Sequence, residues 1–198
     1  MSQALDENYW TSRYLDQNTG WDVGEATIPL KQYLDQIVNH GLEILVPGAG
    51  NAHEAVYAHK KGFKNVHILD FAEPPLKQFR ERFPEFPKEH IHHENFFGHQ
   101  GQYDLILEQT FFCALKPNLR NDYVKKMTEL LKPSGRLVGV LFDVEFEKDG
   151  PPFGGAKKDY LEVFGQELEI VTMERCYNSI PPRAGNELFF KARRKSLV

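Results

Sequence analysis

The sequence is poor in cysteine and has no long apolar run. Its two cysteines, Cys113 and Cys176, lie inside apolar stretches, and the polar start lacks the charged-then-apolar order of a secretory signal. The longest apolar runs, such as residues 137–142, are far shorter than the ~20 residues that span a bilayer. We therefore predict a cytoplasmic location and no membrane partner.

An excess of positive charge is missing as well. Lysine and arginine total 24 against 28 acidic residues, a net charge of −4, and no basic stretch interleaves with aromatic residues. This balance is untypical of proteins that bind nucleic-acid phosphates. With 41% hydrophobic and 26% charged residues, the composition is typical of a globular chain with a sizeable core. We predict a single domain over residues 1–198 without a nucleic-acid partner.

Apolar segments of strand length alternate with amphipathic segments of helix length along most of the chain. The pattern predicts strands at 42–47, 66–71, 90–96, 103–108, 136–142, 169–177 and 187–193. It predicts helices at 51–61, 73–83, 120–131 and 157–165. Such alternation is typical of a doubly wound, mostly parallel α/β sheet with its ligand site beyond the carboxyl ends of the strands. The last two strands should form an antiparallel C-terminal hairpin.

A glycine-rich turn joins the first of these strands to the first of these helices. Gly48 and Gly50 would let the backbone approach a ligand, although such turns also close strand-helix junctions for purely steric reasons. Asp70 ends the next strand 20 residues after Gly50, a spacing at which a carboxylate can bind both hydroxyls of a ribose. Asn95 and Phe96 lie at the end of the third strand and offer polar atoms and a ring to an adenine. Together they predict an adenosine site.

Three classes of adenosine ligand share this layout. A dinucleotide turn needs a small residue where this chain has His53, and a nucleotide-binding P-loop needs a Gly-Lys-Ser/Thr sequence that is missing. S-adenosylmethionine carries no pyrophosphate and needs neither feature. We therefore favour an S-adenosylmethionine-dependent methyltransferase, with an NAD(P)-dependent oxidoreductase and a non-catalytic adenosine-binding module as alternatives.

An ordered set of motifs resembles one enzyme family. The motifs are Trp10…Tyr14…Trp21-Asp22-Val23-Gly24…Pro29-Leu30, Val46-Pro47-Gly48-Ala49-Gly50, Phe111-Phe112-Cys113-Ala114-Leu115 and Gly150-Pro151-Pro152-Phe153. From about residue 8 to the C-terminal hairpin, the sequence resembles the thiopurine S-methyltransferase family, and more closely its plant-type thiol and halide methyltransferases. The resemblance implies a seven-stranded Rossmann-like fold with a reversed last hairpin, and methyl transfer to a small soft nucleophile.

The resemblance also implies site residues. The cofactor contacts would fall on Trp10, Tyr14, Trp21, Gly48, Gly50, Asp70, Asn95, Phe96 and Gln109. Asn95 stands where the plant branch often has aspartate, and Gln109 where relatives have arginine or tyrosine. We place Trp21, Phe112 and Phe153 in the acceptor pocket. We assign no catalytic base, because a thiol of pKa ~8.5 is already partly ionised near neutral pH.

The N-terminal aromatic residues predict a lid. Trp10 and Tyr14 are four residues apart and can share one face of a short helix, which a bend at 21–24 would follow. We expect residues 1–40 to form a lid and helix ahead of a Rossmann-like core at residues 41–198. Aromatic rings there would cover the sulfonium of the cofactor. The acceptor's identity and the oligomeric state stay open.

Histidines His90, His92, His93 and His99 raise the question of a metal site, because imidazole is a common metal ligand. His92 and His93 should point to opposite faces of one strand, and no cysteine pair lies at ligand spacing. We therefore predict no metal site.

Overall fold

Seven strands and six helices make up the regular structure of residues 4–195, which the computed structural model describes. The strands are β1 Glu43–Pro47, β2 Asn65–Asp70, β3 Ile91–His93, β4 Tyr103–Gln109, β5 Leu131–Phe142, β6 Leu168–Arg175 and β7 Glu187–Arg194. The helices are α1 Glu7–Leu15, α2 Ile28–Asp35, α3 His53–Lys60, α4 Glu73–Arg82, α5 Arg120–Leu130 and α6 Lys157–Glu167. Within this part of the chain, no helix is long and apolar enough to cross a membrane.

The strands form one mixed sheet in the order β3-β2-β1-β4-β5-β7-β6. β1 to β5 run parallel, whereas β7 is antiparallel to both β5 and β6. The predicted doubly wound sheet with an antiparallel C-terminal hairpin is therefore confirmed. The strand order reverses between β1 and β4, and open α/β sheets bind ligands at such a switch point.

Two apolar clusters cover the two faces of the sheet. On one face α2, α3 and α4 pack against β1 and β2, with Leu30, Ala55 and Phe79 fully buried. On the other face α5 and α6 pack against β4 and β5 through Tyr123 and Phe164. Burying one such large apolar side chain contributes roughly 1.5–3 kcal/mol. The clusters hold the sheet rigid and leave its carboxyl edge to the connecting loops.

The structure differs from the sequence prediction at three elements. β3 covers only 91–93 of the predicted 90–96, because it is an edge strand with β2 as its sole partner and short 3-10 turns flank it. β5 begins at Leu131 and carries a bulge over 132–135, opposite a single residue of β4. α3 begins two residues after the predicted start at Asn51, whose side chain bonds to Asp22 instead of capping the helix.

Candidate functional site

A cavity of about 1110 Å³ opens at the carboxyl ends of the parallel strands. Loop residues that follow β1 to β5 line it, together with the N-terminal segment and the loop before β7. This volume lies just above the range of roughly 300–1,000 Å³ that is usual for small-molecule sites. The cavity therefore has room for a nucleoside-sized cofactor and a small second ligand.

The glycine turn after β1 forms part of the cavity wall. Gly48 (φ 57°) and Gly50 (φ 51°) both adopt the left-handed conformation that other residues rarely take. A Cβ on Gly48 would overlap the Phe111 ring, and a Cβ on Gly50 would overlap the Tyr14 hydroxyl. Glycine at these positions lets the N-terminal segment and the loop after β4 reach the turn.

Asp70 links the end of β2 to this turn. One carboxylate oxygen accepts the backbone N–H of Gly50 at 2.8 Å, and the other accepts that of Ala72 at 2.9 Å. Burial raises the pKa of Asp70, while these bonds favour its ionised form. Each oxygen retains a second lone pair and the residue lines the cavity, so Asp70 can accept bonds from two ribose hydroxyls as well.

Aromatic rings form the apolar walls. Trp21 contacts Trp10 and Tyr14 edge to face, with ring centroids 5.4 and 5.8 Å apart. Phe96 and Phe111 also line the cavity, and their ring centroids are 5.1 Å apart. Burial and the nearby Asp70 raise the pKa of Tyr14, so its hydroxyl stays protonated. These walls suit an adenine ring and a sulfonium, which ring faces attract.

Polar bonds fix the N-terminal segment over the cavity. Asp22 pairs with His53 Nε2 at 2.7 Å and accepts bonds from Asn51 and the Gly24 N–H. Burial opposes ionisation of Asp22, but these bonds hold its pKa well below the usual range, and Asp22 in turn raises the pKa of His53. Arg183 donates to the Trp21 carbonyl at 2.7 Å. His53 stands where a dinucleotide-binding turn needs a small residue, and here it holds the N-terminal segment in place through Asp22.

Most of the predicted site residues meet at the cavity. Its wall includes Trp10, Tyr14, Trp21, Gly48, Asp70, Asn95 and Phe96. Gly50 lies just behind the wall, against Tyr14 and Asp70. Gln109 is also set back, because its side-chain oxygen accepts a bond from the Thr27 hydroxyl at 2.9 Å.

The two phenylalanines that we expected in the acceptor pocket lie outside the cavity wall. Phe112 is 1% exposed and packs in the core against Tyr123, because a 3-10 turn at 112–114 directs it away from Phe111. Phe111 lines the cavity in its place. Phe153 is held by its backbone N–H, which donates to the Cys113 carbonyl, while the preceding prolines reach the wall.

One charged residue of the wall, Arg183, was not predicted from the sequence. It is only 8% exposed, and its guanidinium lies 3.6 Å from Glu187 and 5.6 Å from the centre of the Phe142 ring. A signal was present in the sequence. Because β7 is antiparallel to β5, the loop that precedes β7 must lie at the edge where β5 ends, so its arginine reaches the ligand end of the sheet.

Glu108, in the core, holds the loop after β4 in place through hydrogen bonds. This fully buried carboxylate accepts the N–H groups of Phe111 and Phe112 at 2.8 and 2.9 Å, and the hydroxyl of Tyr123. Thr110, which lines the cavity, has a φ of 58°. A non-glycine residue with a positive φ is strained, and this conformation persists only where surrounding hydrogen bonds and packing hold the backbone in place. Burial raises the pKa of Glu108 to about 7.

The raised pKa of Glu108 predicts a pH-dependent stability. Its contribution is fully present below about pH 4.5 and is lost as the pH rises through about 7, because the folded chain binds this proton more tightly. Relative to Glu108→Gln, the wild-type free energy of unfolding should fall by about 2–3 kcal/mol between pH 4.5 and 8. Urea unfolding at both pH values measures this. Glu129→Gln, at an exposed position on α5, should keep the wild-type profile, and equal pH slopes for wild type and Glu108→Gln would contradict the assignment.

Comparisons with known proteins agree with this geometry. The family model described as thiopurine S-methyltransferase (TPMT) matches residues 5–193. Thiocyanate methyltransferase 1 of Brassica oleracea is 32% identical over 194 residues, 94% of this chain and 85% of the relative. A thiopurine S-methyltransferase of Marinobacter nauticus is 22% identical, over 84% of each chain.

Solved structures show the same fold. The structure of 1,6-didemethyltoxoflavin-N1-methyltransferase from Burkholderia thailandensis, with bound S-adenosylhomocysteine, has a TM-score of 0.74 and 20% identity, and covers 97% of this chain and 88% of its own. The structure of magnesium protoporphyrin IX methyltransferase from Synechocystis, with bound S-adenosylmethionine, has a TM-score of 0.71 and 15% identity. The match covers 98% of this chain and 100% of that one. The glycine turn, Asp70 and the aromatic walls fit that cofactor. The chain is therefore an S-adenosylmethionine-dependent methyltransferase, and it belongs to the thiopurine S-methyltransferase family.

Proposed function

We propose that this chain methylates a small, soft, anionic nucleophile, such as a thiolate or an anion of the thiocyanate or halide type. The observation that carries the proposal is the buried guanidinium of Arg183, which lines the cavity beside Phe142 and whose Nη1 has no hydrogen-bond partner among the described residues, although Glu187 lies 3.6 Å away. A buried cation favours an anionic ligand nearby, because water does not screen it there. The names of the Brassica relative and of the probable thiol methyltransferase 2 of Arabidopsis thaliana point to the same class of acceptor.

The strand order separates the two ends of the cavity. Asp70 ends β2 and Arg183 precedes β7, and β1, β4 and β5 lie between those strands. At about 4.8 Å per strand, four intervals span on the order of 20 Å. The adenosine therefore belongs at the Asp70 end, with Trp10, Tyr14, Gly48, Asn95 and Phe96 around it. The acceptor belongs toward Trp21, Phe142 and Arg183.

The reaction needs orientation more than proton transfer. When bound, S-adenosylmethionine would supply an electrophilic methyl carbon: an in-line nucleophile would bond to that carbon as its bond to the sulfonium sulfur breaks, and S-adenosylhomocysteine would leave. Asp70 and the glycine turn hold the cofactor, and Trp10 and Trp21 exclude water from the methyl group. Arg183 orients the anion. No carboxylate has to act as a base, because a thiol is partly ionised near neutral pH.

Replacing Arg183 by glutamine should raise KM for anionic acceptors such as thiocyanate by about ten- to a hundredfold, since a hydrogen bond to a charged group contributes about 1.5–3 kcal/mol. The Kd of S-adenosylmethionine should change less than this KM, because Arg183 acts on the cofactor end only through its bond to the Trp21 carbonyl. Release of S-adenosylhomocysteine measures turnover, and titration calorimetry measures cofactor binding. Arg193→Gln serves as the control, because Arg193 lies on β7, the strand that follows the Arg183 loop, and pairs with Glu169 at the surface.

An acceptor series tests the proposed class directly. At fixed size, the rate should follow thiol over alcohol over amine, and it should rise with pH as the thiol ionises. A preference for alcohols or amines would exclude this acceptor class, but it would not change the conclusion that the chain is a methyltransferase. The cytoplasmic location and the absence of nucleic-acid partners stay predictions.

A further inference from the structure

A group of histidines and glutamates lies at the β3 edge of the sheet, next to the adenosine end of the cavity. We call it the histidine cluster, and it consists of His67, His90, His92, His99, Glu43 and Glu94. The rings of His67 and His90 are 4.0 Å apart, and those of His67 and His92 stack at 5.3 Å. Only Glu94 of this group also lines the cavity. The methyltransferase mechanism uses none of these side chains.

Three atoms of the cluster converge on one point. His92, Glu94 and His99 each offer one ligand atom, and these three atoms all lie within 4.8 Å of one another. His99 Nδ1 is 2.8 Å from Glu94 Oε1, and His92 Nδ1 is 3.9 Å from the same oxygen. Ligand atoms in a tetrahedral site with bonds of 2.0–2.2 Å stand about 3.3 Å apart. The two distances to Glu94 Oε1 lie on either side of that value, so a small movement of the exposed Glu94 side chain would bring both of them close to it.

A relay of hydrogen bonds prepares His92 for a metal. Glu43 Oε2 lies 3.1 Å from His67 Nε2, and His67 Nδ1 lies 3.0 Å from His92 Nε2. A carboxylate only accepts, so the network assigns the proton to His67 Nε2. His67 Nδ1 then accepts the Nε2–H of His92, which leaves the Nδ1 lone pair of His92 free. Metal-binding histidines are oriented in this way by a carboxylate or imidazole behind them.

His99 has an equivalent partner. The ring is buried, and its Nε2 lies 2.7 Å from the hydroxyl of the buried Tyr103. With a metal on Nδ1, Nε2–H would donate to that hydroxyl, so both ring nitrogens would remain satisfied. His99 is thus a buried imidazole held between the carboxylate of Glu94 and the phenol of Tyr103.

We propose that His92, Glu94 and His99 form a site for Zn²⁺ or a similar divalent transition metal, with further positions open to water. Two imidazole nitrogens and a carboxylate oxygen are a donor set that suits such ions. From the sequence we predicted no metal, because His92 and His93 should point to opposite faces of one strand and no cysteine pair lies at ligand spacing. In the structure, the 3-10 turn at 96–98 reverses the chain direction after β3, so that His99 lies next to His92. His93 points away from this pair, toward Glu73.

Metal titration of the full chain tests the proposal. After treatment with a chelator and its removal, Zn²⁺ should bind at one equivalent with a Kd on the order of 1 μM or tighter. Co²⁺ should give a visible absorption band of tetrahedral intensity. The binding is measured by competition with a chromophoric chelator, without turnover, so failure of the proposed acceptor class leaves this readout unaffected.

Variants separate this site from adventitious binding. His92→Gln and Glu94→Gln should each weaken Zn²⁺ binding at least a hundredfold, and His67→Gln, behind the site, by about ten- to a hundredfold. His93→Gln is the matched control and should bind as the wild type does. His92 and Glu94 are not fully buried, so circular dichroism should show native folds even if His99→Gln fails to fold. Absence of one-equivalent binding, or equal affinity in His92→Gln and wild type, would overturn the proposal.

Discussion

Replacing Asp70 by asparagine should weaken S-adenosylmethionine binding by about ten- to a hundredfold, because a charge-assisted hydrogen bond contributes about 1.5–3 kcal/mol. Asp70 is buried in the cavity wall, and both of its oxygens already accept backbone N–H groups of the adjoining loops. Asparagine keeps one acceptor and removes the charge. Titration calorimetry with S-adenosylmethionine and S-adenosylhomocysteine gives both affinities.

The control has to separate loss of binding from loss of folding. Asp104 also accepts a backbone N–H, that of Glu43 at 2.9 Å, but it lies at the amino end of β4, away from the cavity. Asp104→Asn should lose some stability and keep its cofactor affinity. If Asp70→Asn melts no lower than Asp104→Asn and binds the cofactor as tightly as the wild type, the ribose assignment is wrong.

Removing residues 4–24 should abolish methyl transfer, with a loss of at least a thousandfold, and leave the sheet folded. The segment contributes Trp10, Tyr14 and Trp21 to the cavity wall, whereas the first strand begins only at Glu43. Without these rings water reaches the methyl group and the cofactor loses its apolar cover. Turnover and far-ultraviolet circular dichroism of the truncated chain measure the two effects, and normal activity would exclude a lid.

Limited trypsinolysis tests the same segment without truncation. Arg13 is the only tryptic site in residues 1–30, and its guanidinium lies 5.2 Å from the centre of the Trp21 ring. Bound S-adenosylhomocysteine should slow cleavage at Arg13 severalfold. Lys64 is exposed at the opposite edge of the sheet, just before β2, and serves as the internal control. Equal cleavage at Arg13 with and without the ligand would contradict closure over the cofactor.

Local sequence was sufficient for the scaffold of the cofactor site. The glycine turn and Asp70 each sit at the end of a strand whose apolar pattern identifies it, and parallel strands bring their carboxyl ends to one edge. The pairing of Gly50 with Asp70 follows from that arrangement. The same reasoning places the Arg183 loop at this edge, because it precedes an antiparallel strand.

The direction of side chains in the irregular loops could not be predicted from local sequence. Phe111 and Phe112 are neighbours of the same type, and a turn of three residues decides that one enters the cavity and the other the core. Gln109 turns to Thr27, a partner 82 residues away. Such contacts depend on loop geometry and on distant chain segments, which no period in the sequence encodes.

The sequence by itself determined the order and type of the elements, the parallel sheet with its reversed hairpin, and the turn and carboxylate of the cofactor site. These features arise from local periodicity and from steric rules that act over a few residues. Only the tertiary structure decided that His53 anchors Asp22, that Arg183 enters the cavity, and that His92, Glu94 and His99 converge. Each of these contacts is made by the packing of separate loops around the sheet, and packing is a property of the whole chain rather than of any segment.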